Sequence, residues 1–171
     1  MSTVAHCSEE VAQAVAYEIM MFGFLKKRVE DSKFEMCGKM VPGQILYLGT
    51  GGPHEEEASS FLESFLLHTR VLYDFFCKPR GPRNPDDVVA SDFVPSWETG
   101  RSVKQCRYLS AEKDRLNKSL AHLSTLRVKY EIDGKGWEIT TIDSEITRLI
   151  SQFKNEICTE YAPWFDYKSY T

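Results

Sequence analysis

Residues 55–77, EEEASSFLESFLLHTRVLYDFFC, decide the class of fold. Phe61, Phe65, His68, Leu72 and Phe75 recur at the spacing of one helix face, and Leu62, Leu66, Thr69, Tyr73 and Phe76 form a second stripe beside it. A strand alternates with period two and cannot produce two adjacent stripes of this kind. The segment therefore reads as a helix with a broad apolar face, leaving Glu63, Arg70 and Asp74 for solvent or partners. Arg70 and Asp74 stand at i,i+4, where an exposed pair contributes little. His68 sits inside the apolar stripe and reads as a core residue hydrogen-bonded to a neighbour rather than as a catalyst.

Three further segments carry the same period. One runs over about 8–29, with Ser8 as N-cap, Glu9 and Glu10 in the positive first turn, and Val11, Val15, Ile19, Phe22 and Val29 inward. Gly23 weakens it by about 1 kcal/mol relative to alanine if it lies mid-helix. A third covers about 110–130, with Ser110 as cap and Leu116, Leu120, Leu123 and Arg127 as its packed stripe. The fourth covers about 138–158, capped by Thr140 or Thr141, with Ile142, Ile146, Leu149, Ile150, Phe153 and Ile157 inward. Long connectors lie at 31–53 and 78–108; the second holds Pro79, Pro82, Pro85 and Pro95, and NPDDVVASDF suggests a short helix begun by Asn84 or Asp86. Four amphipathic helices must bury their faces on one another. The expectation is all-α: one domain over 1–171, a four-helix up-and-down bundle with two long crossover loops.

Composition narrows the class. With 171 residues the chain can bury a sizeable core. A net charge of −4 speaks against strong non-specific binding of duplex nucleic acid, which favours a basic face. The five cysteines are scattered and form no CxxC pair, so free thiols in a reducing compartment are expected. The first residues lack a basic run followed by an apolar stretch, and the apolar run Ile19 to Leu25 is too short to span a bilayer. A cytoplasmic protein without membrane partners is expected.

ILYLGTGGPHEEE at 45–57 imitates a phosphate-cradling strand, loop and helix start, but it lacks GK[ST]. Glu55, Glu56 and Glu57 occupy the place of the anion, so an acidic-capped connector is the better reading. No Glu-x-x-His occurs, His54 lacks the second histidine of a zinc protease, and Asp86, Asp87 and Asp92 read as loop caps. No metal and no cofactor are expected.

LNKSLAHLSTLR at 116–127 differs in its company. Arg115 precedes His122 by about 700° of helical rotation, so the two project within about 20° of each other, roughly 10 Å apart along the axis. Lys118 and Ser119 lie between them. This cationic strip can receive a phosphate and move a proton; it can equally be a solvated face or a helix–helix hydrogen-bond network.

Arg115-Leu-Asn-Lys-Ser-Leu-Ala-His122, with six intervening residues on the third long helix, resembles the hallmark of the HEPN superfamily. The wider pattern FLLHTRVLYDFF, DDVVASDFV, LNKSLAHLSTLR and a later tryptophan with spaced isoleucines is similar to a group of uncharacterised bacterial proteins over roughly 58–155. Leu116 departs from the polar residue common after the motif arginine. Ser124 replaces the tyrosine of some toxins, so nucleotidyl modification there is not implied. The resemblance implies a metal-independent endoribonuclease of a toxin or phage-defence system. His122 would be general base on a ribose 2′-hydroxyl, Arg115 would stabilise the phosphorane charge, and Asn117, Lys118 or Ser119 would bind the phosphate. It further implies RNA as substrate, an antitoxin protein as partner, and a homodimer whose second His122 supplies the acid. The alternative is a non-catalytic helical bundle that binds a partner protein or small ligand, with His68 and His122 structural.

Overall fold

A computed structural model describes residues 7–37, 55–79, 84, 86–121 and 136–166; side chains at 32–37, 55–59 and 119–121 lie outside the description. In chain order the helices are α1 (Glu9–Cys37), α2 (Glu55–Cys77), α3 (Ala90–Phe93), α4 (Thr99–Gln105), α5 (Arg107–Ala121), α6 (Ile139–Glu156) and a final 3-10 turn, Ala162–Phe165. The fold is all-α, with no β-strand among the described residues. Nor is any described helix long and apolar enough to cross a membrane.

Helix α1 starts where Ser8 predicts, and the Ser8 hydroxyl accepts the Val11 amide at 3.4 Å. It runs on past Val29 to Cys37, however, because no proline or C-capping glycine interrupts the chain before Gly38. Gly23 is mid-helix and open to solvent, so the chain tolerates it without needing it. Helices α1 and α2 pack antiparallel: Phe22 stacks on Phe65 at 5.1 Å, and Arg28 lies over the Phe61 ring nearer the N-terminal end of α2.

The expected boundaries of the last two long helices shift. Helix α5 begins at Arg107, so Ser110 is internal, and its hydroxyl donates to the Val103 carbonyl at 3.2 Å. The same hydroxyl lies 3.1 Å from Tyr73 Oη on α2. Glu138, not a threonine, occupies the N-cap of α6, and Thr141 bonds back to its carboxylate at 3.0 Å. The described part of α5 ends at Ala121; the expected continuation to 130 lies outside the described residues.

The 78–108 connector is the largest departure. Over its described residues 86–108 it is folded into two helices, α3 and α4, and its short helix starts at Ala90, not Asn84 or Asp86. The Asp87 amide bonds to the Asn84 carbonyl in a turn, and the Asp92 carboxylate accepts the Val89 amide at 3.0 Å to open α3. Phe93, Val94 and Trp97 then enter the core. They meet Phe153 of α6, which lies 6.5 Å from Phe93, 5.9 Å from Trp97, 5.4 Å from Phe75 and 5.0 Å from Phe165, all edge-on. Each such pair is worth about 0.5–1.5 kcal/mol beyond the burial of its rings. The Trp97 indole donates to the Phe76 carbonyl at 2.8 Å at the end of α2. The closing 3-10 turn is tied to α1, where the Gln13 amide donates to the Trp164 carbonyl at 2.6 Å.

Candidate functional site

Three places bring polar chemistry together. The first surrounds Arg115. Its position on α5 points into the junction with α6, and only 4% of the residue is exposed. One guanidinium nitrogen donates to the Gly136 carbonyl at 3.1 Å and reaches Glu112 at 3.4 Å. The guanidinium carbon lies 3.9 Å from the centroid of the Trp137 ring, itself 2% exposed. The guanidinium is thus stacked, bonded and charge-balanced inside one chain. Next to it Tyr108 accepts the Glu138 amide at 3.1 Å, and burial pushes its phenol above the ordinary value.

Of the other residues singled out by sequence, Asn117 and Lys118 are half-buried on α5. Ser119 belongs to the same helix with its side chain outside the description, and His122 lies outside the described residues. The structure therefore places Arg115 and does not describe His122.

Sequence reasoning missed Glu145. It lies on the inward face of α6 between Ile142 and Ile146, and the structure buries it to 7% exposure. Its two oxygens accept the Tyr108 amide at 2.9 Å and the Leu109 amide at 3.0 Å. A carboxylate from one helix thereby caps the positive end of another. A lone glutamate in an isoleucine stripe was the available signal.

The second place is His68. Its Nδ1 lies 2.6 Å from the Glu18 carboxylate on α1, and Tyr17 meets the ring edge-on at 6.1 Å. The imidazole joins α1 to α2. Asp74 on the same helix faces Lys113 of α5 at 3.9 Å instead of pairing with Arg70.

The third place is a cleft of about 400 Å³ between α1, α2 and residues 86–88. Val11, Val15, Leu72, Phe75 and Val88 form its apolar floor. Leu67 and Val71 stand at its lip, 47% and 41% exposed. Charges rim it: Glu18, Asp74, Asp86 and Asp87 against Arg70 and Lys78, with Lys78 bonded to Asp87. Its size falls in the range of small-molecule sites, and its apolar floor is typical of them, although six charged side chains rim it. Among the described residues no group of three or more His, Cys, Asp or Glu is placed to hold a metal ion.

Comparison with family models, with curated proteins and with solved structures finds no match for this chain.

Proposed function

We propose that the protein is a non-catalytic helical bundle that binds a small ligand in the cleft between α1 and α2. The cleft itself carries the reading: an apolar floor with exposed Leu67 and Val71 at its lip, and a charged rim whose exposed Asp86 is the carboxylate not engaged by His68, Lys78 or Lys113. Such a site suits a molecule with an apolar body and a cationic head. The inward commitment of Arg115 to Trp137 and Gly136 supports the non-catalytic part. In this reading α1, α2, α5 and α6 are the four helices of one up-and-down bundle, at work in the cytoplasm.

The test is titration with small aryl-alkyl amines, followed by amide NMR shifts, in the native protein and in Ala14→Trp. Ala14 is exposed at the cleft wall, so an indole there fills the space without touching the core. Saturable shifts at Val15, Val71 and Val88 that vanish in the variant are expected. Absence of saturable shifts, or shifts unchanged in Ala14→Trp, refutes the reading.

A second reading rests on one observation: Arg115 stands on the third of the four long helices among the described residues, where the HEPN-like resemblance expects it. In it the protein is a homodimeric, metal-independent endoribonuclease held by an antitoxin, with Arg115 and His122 catalytic and Asn117, Lys118 and Ser119 on the RNA phosphate. Incubation with total RNA in the presence of chelator, beside His122→Ala, tests it. Cleavage confined to the native protein supports it; equal cleavage by both, or none, refutes it.

A further inference from the structure

A trough of about 450 Å³ lies where α4, α5 and α6 meet. Lys104 from the end of α4, Arg107 from the start of α5 and Arg148 from α6 line it, with Thr140 and Ser144 along the α6 wall. All five of these side chains are exposed. No ion pair is found for Lys104, Arg107 or Arg148 among the described residues, whereas the neighbouring Arg101 is neutralised by Glu156 at 2.7 Å.

The one carboxylate lining the trough, Glu145, turns both oxygens to the Tyr108 and Leu109 amides, so much of its charge is spent on the α5 terminus. The carboxylate of Glu138 at the α6 N-cap accepts the Thr141 hydroxyl at 3.0 Å. Three uncompensated cations converging on one concavity are unexpected on a chain of net charge −4. A bound anion would relieve whatever mutual repulsion solvent and salt leave unscreened among them.

We propose that this trough is a binding site for phosphate oxyanions, with Arg107 and Arg148 forking onto the phosphate oxygens and Lys104 supplying a point charge. The chemistry fits a polyphosphate on a small ligand and the backbone of a short single-stranded RNA alike. The site stands apart from the α1–α2 cleft and does not depend on the reading of that cleft.

The experiment titrates the full-length chain, without added metal, in two arms: inorganic tripolyphosphate and a short single-stranded RNA. Binding is followed by amide NMR shifts and calorimetry, in the native protein, Arg148→Gln and the double variant Arg107→Gln/Arg148→Gln. All the substituted side chains are exposed, so the variants fold; an unchanged thermal midpoint verifies it. The expected result is shifts at Gln105, Arg107, Ser144 and Arg148, with affinity about tenfold weaker in the single variant and undetectable in the double. Binding is also expected to weaken steeply between about 0.05 and 0.5 M salt.

Arg148→Lys is expected to recover part of the loss, which a merely structural effect would not reproduce. Tripolyphosphate binding alone identifies a small phosphorylated ligand as the source, and tighter RNA binding identifies a phosphodiester chain. Shifts scattered over the surface, equal affinity in the double variant, or no binding in either arm overturns the proposal.

Discussion

Replacing Arg115 by methionine separates the two accounts of that residue. The substitution keeps a long, unbranched chain over Trp137 but removes the charge and the donor to the Gly136 carbonyl. Glu112, 9% exposed, then loses the cation 3.4 Å away. Breaking a buried ion pair from one side costs about 3–5 kcal/mol. The 3.4 Å contact is long for a charged hydrogen bond, which points to the lower end, about 3 kcal/mol.

With a urea m-value of about 2 kcal/mol/M, the midpoint should fall by about 1.5 M. Tryptophan fluorescence, with Trp97 and Trp137 buried in the folded state, reports the transition. Arg115→Lys keeps the charge but not the planar stacking, and should cost about half as much. The double variant Glu112→Gln/Arg115→Met should recover about 1–2 kcal/mol, since no buried carboxylate remains without its cation. A stability within about 0.5 kcal/mol of the native protein for Arg115→Met refutes the structural role. Joined to loss of RNA cleavage, that result would make the guanidinium catalytic.

Other outcomes follow from the same contacts. Glu145→Ala should cost about 3 kcal/mol by leaving two amides at the α5 start without acceptors, and should speed hydrogen exchange at Tyr108 and Leu109; an unchanged exchange rate refutes the cap. Gly23→Ala should stabilise by about 0.5–1 kcal/mol, because the added methyl meets nothing within 4 Å; calorimetry checks it. The Cys77 thiol is pushed far up by its hydrogen bond to Cys106 and by burial, and burial also raises the Tyr73 and Tyr108 phenols. The folded state therefore holds protons that the unfolded chain releases. The stability these groups contribute is whole below the ordinary thiol value of 9.0 and declines as pH rises beyond it, by up to about 1.4 kcal/mol per pH unit for Cys77. Cys77→Ala should remove the first part of that decline in pH-dependent urea melts. Native-state alkylation should modify exposed Cys158 at once, and Cys77 and Cys106 only after unfolding, as peptide mass mapping would show.

The long helices were legible because each writes its burial as a period. The α2 stripes appear in space as Leu62, Phe65, Leu66, Leu72, Tyr73, Phe75 and Phe76, all buried. What escaped was decided by contacts distant in sequence. Nothing local to PSWETG says that Trp97 will donate to a carbonyl on α2 and pack on Phe153; the prolines around it suggest only a loop. Helix starts moved for the same reason. Glu145 satisfies the first amides of α5 from another helix, so Ser110 is not needed as a cap and the helix begins earlier. The cleft was invisible because its floor is shared among two helices and the 86–88 segment.

The cationic strip of α5 shows how periodicity misleads about charge. Spacing places Arg115 beside Lys118 on a helical wheel, and a wheel carries no information about what packs against it. Trp137 and the Gly136 carbonyl, brought by the start of α6, convert that arc into an interior one. An arginine in such surroundings is held by the fold and is poorly placed to meet a phosphate. The cations that do face outward together, Lys104, Arg107 and Arg148, come from three different helices and share no sequence spacing. If either group of cations meets an anion, solvent access favours the trough at α4, α5 and α6 over the Arg115 junction. A charge that meets a ligand must be reachable when the ligand arrives, and Arg115 is buried with its Nη1 already serving Gly136 and Glu112.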